Sequence, residues 1–203
     1  MQVVHAEGFR VIRMLALLAV LGLAGCATMS AEQCRAGKWE ETGRADGRHG
    51  ERPEQLEKHR ETCATHGIEP SADQWSRGYQ QGVNEFCTPA GGYTAGRANL
   101  GDVSLCAGRR GEQEFLTAHR QGGQVYELLR EVREMYRNLR ISLAERYRVG
   151  GPGSVDTWEL SNSEFVKTLK RRERWLRQRD GEYCDQYGVE PLTDADLDPD
   201  SVR

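Results

Sequence analysis

Residues 14–26, Met-Leu-Ala-Leu-Leu-Ala-Val-Leu-Gly-Leu-Ala-Gly-Cys, constrain the chain most, because they set the compartment in which the rest must fold. The apolar run is too short to cross a bilayer's hydrocarbon core, which takes about 20 residues. Arg10 and Arg13 give it a positive flank, and small residues precede the cut, as a secretory signal requires. Leu23-Ala24-Gly25-Cys26 closes it as a lipid-attachment box. Residues 1–25 therefore read as a lipoprotein signal peptide and Cys26 as the lipid-bearing residue. Ala27 stands where an aspartate would signal inner-membrane retention, so the expected address is the periplasmic face of the outer membrane.

Export decides how such a chain can be stabilised. Only 37 % of the sequence is hydrophobic, and much of that leaves with the signal. A thin core in an oxidising compartment calls for disulfides. Cys34, Cys63, Cys87, Cys106 and Cys184 follow Cys26, and counting alone does not choose their partners. Cutting at Cys26 removes two arginines and one glutamate, taking the net charge from −3 to −4. That balance argues against a nucleic-acid partner, whose binders carry a basic excess.

The pattern along the chain is helical. Ser30-Ala31-Glu32-Gln33 is a capping box opening a helix toward Gly50. Pro53 suits the first turn of a second helix, which stops near Gly67, and a third spans Ser71 to Phe86. Residues 88–110 are rich in glycine and read as a loop or irregular hairpin. From Glu112 helical spacing returns. Val125, Leu129, Val132, Tyr136, Leu139 and Leu143 form a heptad seam, broken by Gly150-Gly151-Pro152-Gly153. Phe165, Leu169, Leu176 and Tyr183 repeat it, interrupted by Arg172 and Arg179, so the two helices should fold back as an antiparallel, coiled-coil-like hairpin. Cys63 to Pro70 and Cys184 to Pro191 share the spacing of a helix ending, with glycine beyond the last turn and proline blocking continuation.

Glycines inside helices are the oddest feature. Gly43, Gly47 and Gly50 form one ridge and Gly78 and Gly82 another, each glycine costing about 1 kcal/mol relative to alanine. Such ridges fit close helix-on-helix packing, with Trp39 and Trp75 as neighbouring rings. His59, Cys63 and His66 share a helix face, with Asp46 and His49 near, and imidazole with thiolate suits zinc or copper. A disulfide at Cys63 removes the thiolate, so no metal or other cofactor is expected. Asp46 and His49, three apart, make an acid-base pair only in principle, and hydrolase or phosphate-loop motifs are missing, so no catalytic residue is assigned. Lys167, Lys170, Arg171, Arg172, Arg174, Arg177 and Arg179 make the last helix basic, a face expected to pair with Glu127, Glu131 and Glu134.

Cys34, Trp39, Gly43, Asp46-Gly47, Gly50, His59, Cys63, Gly67 and Pro70 resemble the first half of a known family. Gly78, Gly82, Phe86-Cys87-Thr88-Pro89, Gly92-Tyr93, Gly96 and Cys106 resemble its second half. The pattern is similar to the domain of unknown function 2799, found in small exported lipoproteins of Gram-negative bacteria, and covers roughly residues 30–130. Ala107 stands where that pattern carries a proline, and the helices beyond 130 exceed the compact module. The resemblance implies an envelope lipoprotein without an assigned activity.

Helix order suggests the bridges. The first two helices turn back near residues 48–52, which brings Cys34 to Cys63; Cys87 to Cys106 would close the glycine-rich segment, leaving Cys184 free or bonded to another chain. The expected protein is all-α and disulfide-stapled. It divides into a signal peptide over 1–25, a helical lipoprotein domain over 26–130, the rest of the hairpin over 131–188 and an acidic disordered tail over 189–203. The expected function is non-enzymatic binding or scaffolding of an envelope protein. Binding of a metal or small ligand through His59, His66 and the glycine loop is the alternative.

Overall fold

The computed structural model describes residues 29–151, 153, 160 and 163–201 of the 203. The signal peptide and Cys26 lie outside these. The described residues are all-helical: α1 Ala31–Ala36, α2 Trp39–Arg48, α3 Gln55–Ala64, α4 Ala72–Phe86, α5 Pro89–Ala98, a 3₁₀ turn Val103–Cys106, α6 Glu112–Gly150, α7 Glu164–Tyr187 and α8 Asp194–Leu197.

The capping box forms as the sequence requires, with Ser30 accepting from the Gln33 amide at 3.2 Å and Gln33 accepting from Ser30 at 2.7 Å. The helix it opens does not reach Gly50. It ends after one and a half turns at Gly37, whose φ of +62° is open to glycine, and α2 starts afresh at Trp39.

The glycine ridges explain the next layer. A Cβ on Gly43 would lie 2.0 Å from the Trp75 carbonyl oxygen, and one on Gly78 would lie 1.9 Å from that of Glu40. Gly47 and Gly82 are equally intolerant, at 2.3 Å from Tyr79 O and 2.1 Å from Arg44 O. Two backbones therefore touch through four missing side chains. Glu40 meets Gly78, Arg44 meets Gly82 and Gly50 meets Phe86, so α2 and α4 run parallel and α3 is the return between them.

The same device recurs in α5 and α6. A Cβ on Gly96 would lie 2.1 Å from His119 O, and one on Gly122 2.3 Å from Tyr93 O. This corrects the reading of residues 88–110 as a loop or irregular hairpin over its first half, while residues 99–111 are irregular apart from the 3₁₀ turn. Thr88 caps α5 by accepting from the Gly91 amide at 3.1 Å, Pro89 occupies its first turn, and Asn99 ends it in the left-handed region. Glycine was read as a helix breaker, but here it admits the α6 backbone. The two units share the sequence Gly-Tyr-x-x-Gly, at Gly78 to Gly82 and at Gly92 to Gly96.

Each unit is stapled near the starts of its parallel helices. Cys34 bonds to Cys63, with Cα atoms 5.6 Å apart, and Cys87 bonds to Cys106 at 5.4 Å. The closed loops span 29 and 19 residues of sequence separation. On the loop-entropy account each contributes about 3–4 kcal/mol. Cys184 is a free thiol, buried in the core.

α6 runs unbroken for 39 residues, about 58 Å at the helical rise. α7 lies antiparallel to it, since Tyr187 donates to Gln121 while Tyr136 donates to Glu173 at 2.6 Å. Val125, Leu129 and Val132 of the seam are buried with Leu169, Leu176 and Cys184, and Tyr136 and Leu139 pack against them. The acidic tail differs from expectation too. Thr193 caps α8, Leu197 is buried, and residues 189–201 lie ordered against α6. Composition pointed to disorder, but Leu192 and Leu197 give the segment an apolar grip that its aspartates hide.

Candidate functional site

Three places bring polar or exposed apolar groups together. The first is inside the α2–α4 unit. Asp46 Oδ2 accepts from Trp75 Nε1 at 2.8 Å and lies 2.9 Å from His59 Nε2, which must carry the proton because a carboxylate only accepts. His59 is buried, so this is an internal tie between α2, α3 and α4. Asp46 thus pairs with His59 and not with His49, which is exposed just beyond the end of α2. Cys63 is consumed in its bridge and His66 is exposed, so the helix-face trio does not assemble as ligands. No group of three or more metal-ligating side chains occurs among the described residues.

The second place lies between the α5–α6 unit and α7. Asp180, fully buried, accepts from the Tyr93 hydroxyl at 2.6 Å and from Arg97 at 2.9 Å on one oxygen, and from the Leu192 amide at 2.7 Å on the other. Arg97 also donates to Glu190 O at 2.9 Å and to Cys184 Sγ at 3.4 Å. Burial and the neighbouring carboxylate push the Tyr93 hydroxyl far above its ordinary range, and burial raises the Cys184 thiol. Neither group is poised for proton transfer near neutrality. Every buried side-chain nitrogen and oxygen among the described residues has a partner. Sequence reasoning missed this cluster because its members stand 87 positions apart.

The third place is the far end of the arm. No residue of α6 beyond Val132 is buried. Ile141, Tyr147 and Val149 are exposed by 61 %, 58 % and 74 %, and Phe165 at the start of α7 by 41 %. An apolar hollow of ≈ 230 Å³ opens among Leu139, Leu143, Arg146, Leu160 and Phe165. Of the expected pairs on the basic face, Arg172 meets Glu131 at 3.3 Å, while Glu127 holds Arg130 of its own helix. Lys167, Arg177 and Arg179 bind Glu164, Glu173 and Glu182 along α7 itself. The arm is therefore held by its apolar seam with few ionic cross-links.

Comparison with known families decides the identity of the stapled units. Residues 38–124 match the family described as protein of unknown function DUF2799. Those residues are a DUF2799 domain. The match begins at the entrance to α2 and ends two residues beyond Gly122, so it coincides with the two glycine-packed helix pairs. Trp39, Gly43, Asp46, Gly47, Gly50, Gly78, Gly82, Tyr93 and Gly96 all fall within it. α6 continues unbroken out of the DUF2799 domain, and Tyr93 and Arg97 tie α7 and the following segment to it; the outer part of α6, α7 and α8 lie beyond the matched residues. No curated protein and no solved structure matches the chain.

Proposed function

We propose that this chain is a lipid-anchored envelope protein whose DUF2799 domain carries an arm that binds another envelope protein, without chemistry of its own. The observation that carries the binding reading is the outer end of α6, which buries no residue beyond Val132 and exposes Ile141, Tyr147 and Val149. Isolated exposed apolar side chains need no explanation; here they fan around the outer turns of a helix that also carries an apolar hollow lined by Leu139, Leu143, Leu160 and Phe165. The domain beneath offers a rigid base: two bridges and two backbone-to-backbone contacts hold it, and its buried polar groups are mutually satisfied.

Anchoring rests on the signal sequence and on Met29. Met29 is buried with Cys34, Trp39 and Trp75, only three residues after Cys26. A lipid on Cys26 would sit within about 10 Å of the folded body, even with the linker extended. The body would rest on the membrane surface, and the arm would carry the contact.

The test is a double variant, Ile141→Glu with Tyr147→Glu, at two positions more than half exposed. The variant should keep the native melting temperature and lose the proteins that co-purify with the native chain. An unchanged set of co-purifying proteins would show that the arm is not the binding surface.

A further inference from the structure

A cleft of ≈ 750 Å³ separates α5 from the middle of α6, with Arg97, Arg130, Arg133 and Arg137 on its walls. Its remaining wall is the C-terminal segment, through Leu192, Asp196 and Pro199. The way this segment is held is informative. Arg133 Nε donates to the Asp196 carbonyl at 2.7 Å and its Nη2 to Ser201 Oγ at 3.0 Å. Arg137 donates to the Pro199 carbonyl at 2.9 Å, and Arg140 to the Asp200 carboxylate at 2.7 Å, with Asp198 at 3.7 Å. These three arginines stand at i, i+4 and i+7, one face of α6.

Two of the three therefore grip main-chain carbonyls, one in the short helix α8 and one just beyond it, which carry no side-chain identity. Only Arg140 reads a carboxylate directly. The acidity of the segment acts mainly through the field of the arginine row. Leu197, buried, is the apolar plug, in a helix of only four residues. The ion pairs are exposed: Asp198 by 57 %, Asp200 by 66 % and Asp194, which meets Arg177, by 95 %. Such pairs contribute about 0–1 kcal/mol each. Glu190 and Leu192 are fixed by Arg97 and buried Asp180, and beyond that tether residues 193–201 stand at an effective concentration of order mM, so weak contacts suffice to keep them seated.

We propose that this arginine-lined face of α6 is a receptor for an acidic peptide segment of another protein, and that residues 193–201 are its resident, displaceable occupant. The site is separate from the exposed end of the arm and stands or falls without it. It spans the domain boundary, with Arg97 inside the DUF2799 match and Arg133, Arg137 and Arg140 beyond it. Arg97 is already engaged by Asp180, and Arg130 by Glu127, so the exchangeable contacts belong to the other three. Glu134 also lines the cleft, which favours a ligand whose carboxylates fall near Arg137 and Arg140.

The experiment uses the full chain and two fluorescein-labelled peptides read by anisotropy. One has the sequence of residues 193–201; the other is unrelated, with the same charge and one central leucine. Leu197→Asp should unseat the segment. Asp198→Lys with Asp200→Lys, at two exposed positions, should do so without touching any buried residue. Both variants should bind both peptides at least tenfold more tightly than the native chain. Adding Arg133→Ala and Arg137→Ala should reverse that gain, as should raising salt from 50 to 500 mM. Equal binding by native and variant chains would place the peptides elsewhere and overturn the proposal. So would failure of both variants to bind, or binding of the chain's own sequence alone, which would make the segment a private structural strap.

Discussion

Replacing Gly78 by alanine should destabilise the protein although it improves helix propensity. The new Cβ would stand 1.9 Å from Glu40 O, 2.8 Å from its carbonyl carbon and 2.9 Å from the Arg44 amide nitrogen. A carbon settles about 3.3 Å or more from a carbonyl oxygen, so α2 and α4 must part by roughly 1.4 Å along that line. No flexible side chain can yield instead, because every opposing atom is backbone. Separation also strains the 2.8 Å bond from Trp75 to Asp46. Overpacking of this kind costs about 3 kcal/mol at the upper end of its range, a weakened hydrogen bond about 1, and alanine returns about 1. The net loss is about 3 kcal/mol. Gly123, next to a contact glycine on α6, has nothing within 4 Å of its Cβ position, so Gly123→Ala should gain up to about 1 kcal/mol. Guanidinium denaturation of the oxidised proteins, followed by far-UV circular dichroism, measures both. A difference of 3 kcal/mol corresponds to about 6–12 °C in melting temperature for a chain of this size. If Gly78→Ala is as stable as Gly123→Ala, the backbone contact is not what requires glycine.

Three further outcomes follow from single groups. Cys184, buried and with its thiol raised by burial, should resist maleimide at pH 7.5 in the folded protein and take up one equivalent on unfolding without reductant. His119 lies beside Phe115 and burial holds it below its ordinary value of 6.5. The unfolded chain therefore binds its proton more readily, so the stability linked to neutral His119 is full above pH 6.5 and falls as the pH drops below it. Denaturation midpoints from pH 7.5 to 5 should show this slope, and His119→Gln should flatten it. Cys26→Ala should abolish incorporation of an alkyne-labelled fatty acid and move the protein from the membrane to the soluble fraction; persistent labelling would remove the anchor from the account.

Local chemistry carried much of the fold. The bridges follow from helix order, because two cysteines flanking a helical return have little choice. The endings at Gly67 and Gly188 repeat one hydrogen-bond pattern, Ile68 to Cys63 at 3.1 Å and Val189 to Cys184 at 3.2 Å, so the resemblance between those stretches is capping chemistry. Other features were hidden. Gly91, Gly92 and Gly96 depress helix propensity, and only the partner backbone makes them helical positions. The parallel course of α2 and α4 is a tertiary fact that no periodicity encodes. The seating of the acidic tail had a visible signal, since Arg133, Arg137 and Arg140 stand at helical spacing and the aspartates follow far downstream, but charge alone reads as solvation. Asp180 offered less, because a lone aspartate on a basic helix looks like a surface residue until Tyr93 and Arg97 meet it.

The account's central claim is that the outer end of α6 is where this protein meets another. A photoreactive amino acid placed at Ile141 or Tyr147, in the full chain and in intact cells that make it, tests that directly. The same probe at Gln81, an exposed position on α4 of the DUF2799 domain, is the comparison. Illumination should give a discrete cross-linked product from positions 141 and 147 and none from 81. No product from the arm, or the same product from all three positions, would contradict the claim.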